Sequence, residues 1–135
     1  MLKKLFTIFT FLVLLVLLKS QTSHSTNIVY TKHYLGKFTI TSYNAVREQC
    51  DDDWWIGAHG IVATKSGKPL GKFFASNFMR SGTQIVLPNV TGNIIWTCRD
   101  RLHPRYAHRI DLLLPIGQQI DKQRTKVYIV KERKL

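Results

Sequence analysis

Six short runs of β-forming residues, set apart by turn-forming pairs, constrain this chain more than any other feature. Phe38, Ile40 and Ser42 alternate with Thr39, Thr41 and Tyr43, the period of two that sends successive side chains to opposite faces of a strand. Similar runs occupy residues 72–75, 83–87, 93–98, 110–114 and 125–130. Between them stand Ser66-Gly67-Lys68-Pro69, Ser81-Gly82, Pro88-Asn89, Thr91-Gly92-Asn93 and Leu114-Pro115. Glycine there supplies positive φ, and proline removes a ladder donor. Short strands at this spacing predict a mainly all-β chain, built as a small closed barrel or a sandwich. One or two helical turns are expected within residues 116–123. Residues 26–37 read as a leader, 38–131 as the folded domain and 132–135 as a solvated tail.

The segment ahead of the leader has a different character. Residues 5–18 are apolar except for Thr7 and Thr10, with Lys3 and Lys4 before them and Lys19 after. A permanent membrane span needs about 18–20 apolar residues, so this run has the length of a signal-peptide core. Residues 1–25 are expected to be a signal peptide or, if uncleaved, an N-terminal anchor. The protein is then exported to the periplasm or cell envelope, with membrane association through that segment. At 135 residues the chain is one domain and its appendage. Twenty Lys and Arg face eight Asp and Glu, a net charge of +12, which favours an anionic partner. Outside the cytoplasm the expected anion is an envelope polymer and not a nucleic acid; a monomer is expected.

With so few carboxylates, each can be weighed. Asp51, Asp52 and Asp53 stand together between Cys50 and Trp54-Trp55, as solvated loop residues or as a weak divalent-ion site. Asp100 closes the run Ile94-Ile95-Trp96-Thr97-Cys98-Arg99-Asp100, and Asp111 interrupts Arg109-Ile110-Asp111-Leu112-Leu113-Leu114. An ionised carboxylate in an apolar strand costs several kcal/mol unless it is paired, so Asp111 is either paired or has a raised pKa. Catalysis and a structural ion pair are both open at this point. The loop between them, residues 101–108, is basic and aromatic, as the rim around a polar anionic ligand would be. Cys50 and Cys98 form either a disulfide, closing a loop worth about 4 kcal/mol, or two buried thiols. Ligand types and spacing give no zinc site, and neither metal nor cofactor is expected.

Taken in order, several segments carry a resemblance: Phe38-Thr39-Ile40-Thr41-Ser42-Tyr43, Phe74-Ala75-Ser76-Asn77, Ser81-Gly82-Thr83-Gln84-Ile85, Cys98-Arg99-Asp100-Arg101 and Arg109-Ile110-Asp111-Leu112. They resemble the three-aspartate (3D) domain, the double-psi β-barrel shared by membrane-bound lytic transglycosylase A and stationary-phase survival proteins. The resemblance spans residues 38–130 and implies a six-stranded double-psi barrel. It matches Asp100 to the second family acid and Asp111 to the third, the catalytic acid/base of the transglycosylases. Asn77 stands where the first acid would be, which removes one negative neighbour. Gly57-Ala58-His59-Gly60 is similar to a small-residue turn of the family; His59 is given no role.

By this resemblance the partner is the glycan strand of peptidoglycan, cut without water. Asp111 protonates the glycosidic oxygen, the muramic C6 hydroxyl attacks C1, and a 1,6-anhydro sugar results, with Asp100 supporting. Asn77 lies at the substrate site, Arg99 or Arg101 binds lactyl or stem-peptide carboxylates, and Tyr106 and Trp55 stack on sugars. A non-catalytic peptidoglycan-binding module is the alternative, and a purely structural barrel the third reading.

Overall fold

Each expected run is a strand, and the strands pair far from their sequence neighbours. The structure is a computed structural model describing residues 28–134; the signal or anchor segment, residues 1–25, lies outside the described residues. The elements are β1 (Ile28–Tyr43), β2 (Ile56–Gly57), β3 (Gly60–Ile61), β4 (Phe73–Ala75), β5 (Gln84–Leu87), the single turn α1 (Pro88–Thr91), β6 (Gly92–Asp100), β7 (Arg109–Leu113) and β8 (Gln123–Lys134). Six of them form one closed sheet in the order β1-β7-β4-β6-β5-β8. β1 runs parallel to β7 and β4 parallel to β6, whereas β4–β7, β5–β6 and β5–β8 are antiparallel. β2 and β3 make a separate small hairpin.

Alternation along the strands feeds two cores. Ile40, Phe74, Ile85, Leu87, Trp96, Cys98, Ile110, Leu112 and Val127 fill the interior of the sheet. Their chain neighbours face outward, and on one side they are covered. Leu113, with Tyr43 and Phe73 against it, packs on Ala45, Val62, Ala63, Trp54 and Trp55 of the excursion between β1 and β4. Both faces of β4 and β7 are therefore buried, which is why Phe73-Phe74-Ala75 and Leu112-Leu113-Leu114 read as unbroken apolar runs.

Three expectations about boundaries need correction. Residues 28–37, read as a leader, continue β1, and 132–134, read as tail, continue β8. The compact unit accordingly spans Val29–Arg133 and not 38–131. No helix forms in residues 116–123. Gly117 has φ +84°, outside the helical region, and the buried amide of Asn44 donates to the carbonyls of Leu114 (3.1 Å) and Pro115 (2.9 Å). The helical turn lies at Pro88–Thr91 instead, opened by proline and followed by Gly92, whose φ of +65° leaves the helical region.

Candidate functional site

Thr41, Asp111, Ala75 and Asp100 stand in one row across four adjacent strands. Thr41 is the partner of Asp111 between β1 and β7, Ala75 is the partner of Asp111 between β4 and β7, and Ala75 also partners Asp100 on β6. Strands lie about 4.8 Å apart, so the two acid-bearing backbones are roughly 10 Å apart with the alanine between them. A longer side chain at 75 would fill that space. The register depends on a bulge: Phe74 pairs with Cys98, but Ala75 pairs with Asp100, passing over Arg99. Bulges re-aim a side chain in this way. An unbroken ladder would have put Arg99 in the row.

Asp111, Ala75 and Asp100 of this row line a cleft of about 570 Å³, with the excursion on one side and the 101–106 loop on the other. The excursion approaches closely because Gly57 has no side chain. A Cβ there would lie 2.8 Å from the Arg99 carbonyl and 3.0 Å from the Asp100 carboxyl carbon. That approach lets the Ala58 amide donate to Asp100 Oδ1 at 2.7 Å and the His59 amide to the Arg99 carbonyl at 3.1 Å.

The two carboxylates are held differently. Asp100 Oδ1 also accepts from the Arg101 amide at 2.8 Å, and Oδ2 faces the Tyr43 hydroxyl at 3.4 Å. Asp111 Oδ1 accepts a single hydrogen bond, from Thr41 Oγ1 at 2.7 Å. Burial pushes the Asp111 carboxyl above the usual carboxylate range; the Thr41 bond and the charge of Arg109 oppose this, and Asp100 adds to it. Burial, then the charge of Asp100, drives the Tyr43 phenol upward too, so it remains a proton donor. No salt bridge engages Asp111 or Asp100 among the described residues; the one ion pair joins Arg47 to Asp52 at the surface, 2.9 Å apart. A carboxyl with a raised pKa beside a hydrogen-bonded partner, in a cleft, is suited to donating a proton to a bound polar substrate.

The expected substrate contacts fare unevenly. Tyr106 lines the cleft, its ring flanked by the guanidiniums of Arg105 (4.7 Å) and Arg109 (3.8 Å). Arg101 lines it as well, but its guanidinium donates to the carbonyls of Ser76 and Met79 at 2.5 and 2.6 Å, so it anchors the loop and is not free for a ligand carboxylate. Arg99 is outside the lining, with its guanidinium 5.6 Å from the Phe73 ring. Asn77 is outside too: its amide donates to the His103 carbonyl (3.1 Å) and accepts from the Leu102 amide (2.9 Å), clamping the 101–106 loop. Trp55 packs under Lys65 against the outer core, and its neighbour Trp54 lines the cleft in its place. Cys50 and Cys98 are both free. Cys98 is buried in the sheet interior, whereas Cys50 edges the cleft, and no disulfide joins them.

Half of the chain's eight acids, Asp51, Asp53, Asp100 and Asp111, line this cleft. The surroundings of the site are thus acidic in a chain of net charge +12. Among the described residues no three His, Cys, Asp or Glu side chains form a group that could hold a metal ion. The other sizeable hollow, about 470 Å³ between the 66–72 turn and Pro115-Ile116, has no titratable side chains except lysines. Reading along the chain missed Thr41, Tyr43 and Gly57 as site residues. Only Gly57, in its small-residue turn, carried a local signal.

No family model, curated protein or solved structure matches this chain. No helix of the described residues is long and apolar enough to cross a membrane.

Proposed function

We propose that the chain is an exported, peptidoglycan-active protein with a double-psi β-barrel of the three-aspartate type, and that it cleaves glycan strands as lytic transglycosylases do. One observation carries the reading: Asp111 and Asp100 share a cleft in which the Asp111 carboxyl is half-buried, free of ion pairs and shifted toward its protonated form. Asp111 gives its proton to the glycosidic oxygen as the bond to C1 breaks. The C6 hydroxyl of the same muramic residue attacks C1 and returns its proton to Asp111, closing the 1,6-anhydro ring. One carboxyl acts as acid and then base, so the separation rules for two-carboxylate hydrolases do not govern this site. Asp100, fixed by the Ala58 and Arg101 amides, stabilises the positive charge that develops at C1. Trp54, which lines the cleft, offers an aromatic surface to the sugars.

A second reading, a module that binds glycan strands without cutting them, has its own support. Asn77 replaces the first family acid and is engaged by the 101–106 loop, so the cleft lacks that acid. Incubating purified sacculi with the protein and with Asp111→Asn separates the two. The enzyme reading expects anhydromuropeptides by mass spectrometry from the wild type, a loss of about 10²–10⁴-fold in the variant, and unchanged sacculus binding by both. Sacculus binding with no product from the wild type selects the binding module. Equal product from both proteins rejects Asp111.

A further inference from the structure

The two longest strands outrun the sheet that they help to close. β1 pairs with β7 only over residues 39–43, and β8 pairs with β5 only at Tyr128 and Ile129. Residues 29–37 and 128–133 lie together as an extension that starts where those pairings end. The rings of Tyr34 and Tyr128 sit 5.5 Å apart, and Thr31 Oγ1 donates to the Lys131 carbonyl at 3.4 Å. Neither cleft is lined by residues of this extension.

Val130 is buried and Ile129 packs against the inner core, but the rest of the extension turns an open surface outward. Val29, Tyr30, Tyr34 and Leu35 are 41, 48, 58 and 38 % exposed. Lys37, Lys131 and Arg133 are exposed among them, and the two segments hold one acid, Glu132. Aliphatic groups, tyrosines and basic residues together are the composition that settles at the boundary between acyl chains and anionic headgroups. Tyrosine puts its ring toward the apolar side and its hydroxyl toward water.

We propose that this extension rests on an anionic lipid surface, its aliphatic and tyrosine side chains at the acyl boundary and its lysines and arginine on the phosphates. Charge decides against a second copy of the chain as the occupant, since pairing two such extensions would bring like-charged groups together. Sequence position favours lipid. The apolar run at residues 5–18 ends eleven residues before Val29, a span of at most about 40 Å when fully extended. A membrane that holds the run therefore has the extension within reach.

The full chain, reconstituted into phosphatidylcholine vesicles with or without phosphatidylglycerol, provides the test. Lysines are labelled with a water-soluble amine reagent and read by mass spectrometry. Lys37 and Lys131 should lose reactivity by at least about threefold in the anionic vesicles, with Lys65 and Lys68 of the 64–69 turn unaffected. High salt, or the pair Lys131→Glu and Arg133→Glu at exposed positions, should restore Lys37. Equal reactivity in the two kinds of vesicle overturns the proposal. So does protection in detergent that grows with protein concentration, which would identify a second copy instead. Neither result bears on Asp111, whose test is the sacculus digest.

Discussion

The inner and outer faces of the same three strands make an instructive pair. On β7, Ile110 and Leu112 enter the sheet interior while Asp111, between them, faces the covered outer side. β1 divides in the same way between Ile40 and its neighbours Thr41 and Tyr43, and β4 between Phe74 and Ala75. The inner face is enclosed on all sides by the sheet, so only apolar side chains are stable there. The outer face is roofed by the excursion on part of its area, and the roof stops at the row Thr41–Asp111–Ala75–Asp100. At that boundary a carboxyl loses enough water to have its proton affinity raised and keeps enough access to meet a substrate. One residue of register separates the core from the chemistry.

Substitutions that strike one face and spare the other test this contrast. Phe74→Ala empties the centre of the inner core and should cost about 3–5 kcal/mol, a large part of a typical domain's stability. Urea denaturation would register it, and a cost below about 1 kcal/mol would mean that the inner face is not the stabilising one. Tyr43→Phe works on the outer face and keeps the ring that packs against Leu113. It should leave stability within about 1 kcal/mol and lower glycan cleavage by roughly tenfold through loss of the hydroxyl at Asp100. If cleavage is unchanged, the hydroxyl takes no part.

The smallest effect concerns pH. The folded protein raises the Asp111 pKa, so between the unfolded and the folded value it binds more protons than the unfolded chain. Stability from this group is therefore lost as pH rises through that window, and stays at its lower level above it. Asp111→Asn cannot ionise and should be the more stable protein near neutrality, by up to a few degrees in Tm, the gap closing in acid. The wild type should also cleave more slowly as pH rises through the Asp111 titration, since the donor form disappears. A variant less stable than wild type at neutral pH, with its amide still able to accept from Thr41, would place the stabilising charge on the wrong side of this account.

How much could be read along the chain follows from the range of the forces involved. Strand positions at 38–43, 83–87, 93–98 and 110–114 were legible because β-branching, alternation and turn residues act over a few residues. Asp111 stood out for the same reason, as an acid in an apolar run. The ends of β1 and β8 were not legible: residues 28–37 become a strand through β8, about a hundred positions away, and their exposed surface shows no alternation. Trp54 and Trp55 are adjacent and alike. Only the packing of the excursion decides which one meets the cleft.

By itself, then, the sequence determined a mainly β chain, the location of most of its strands and the oddity of a carboxylate at 111. Tertiary structure decided the rest. A bulge opposite Ala75 brought Asp100 into the row in place of Arg99, Gly57 let the hairpin donate to it, and the loop carbonyls drew Arg101 away from the cleft. Each depends on residues some 22 to 42 positions apart meeting at hydrogen-bond range. Local preference has no means of specifying such meetings; only closure of the sheet does.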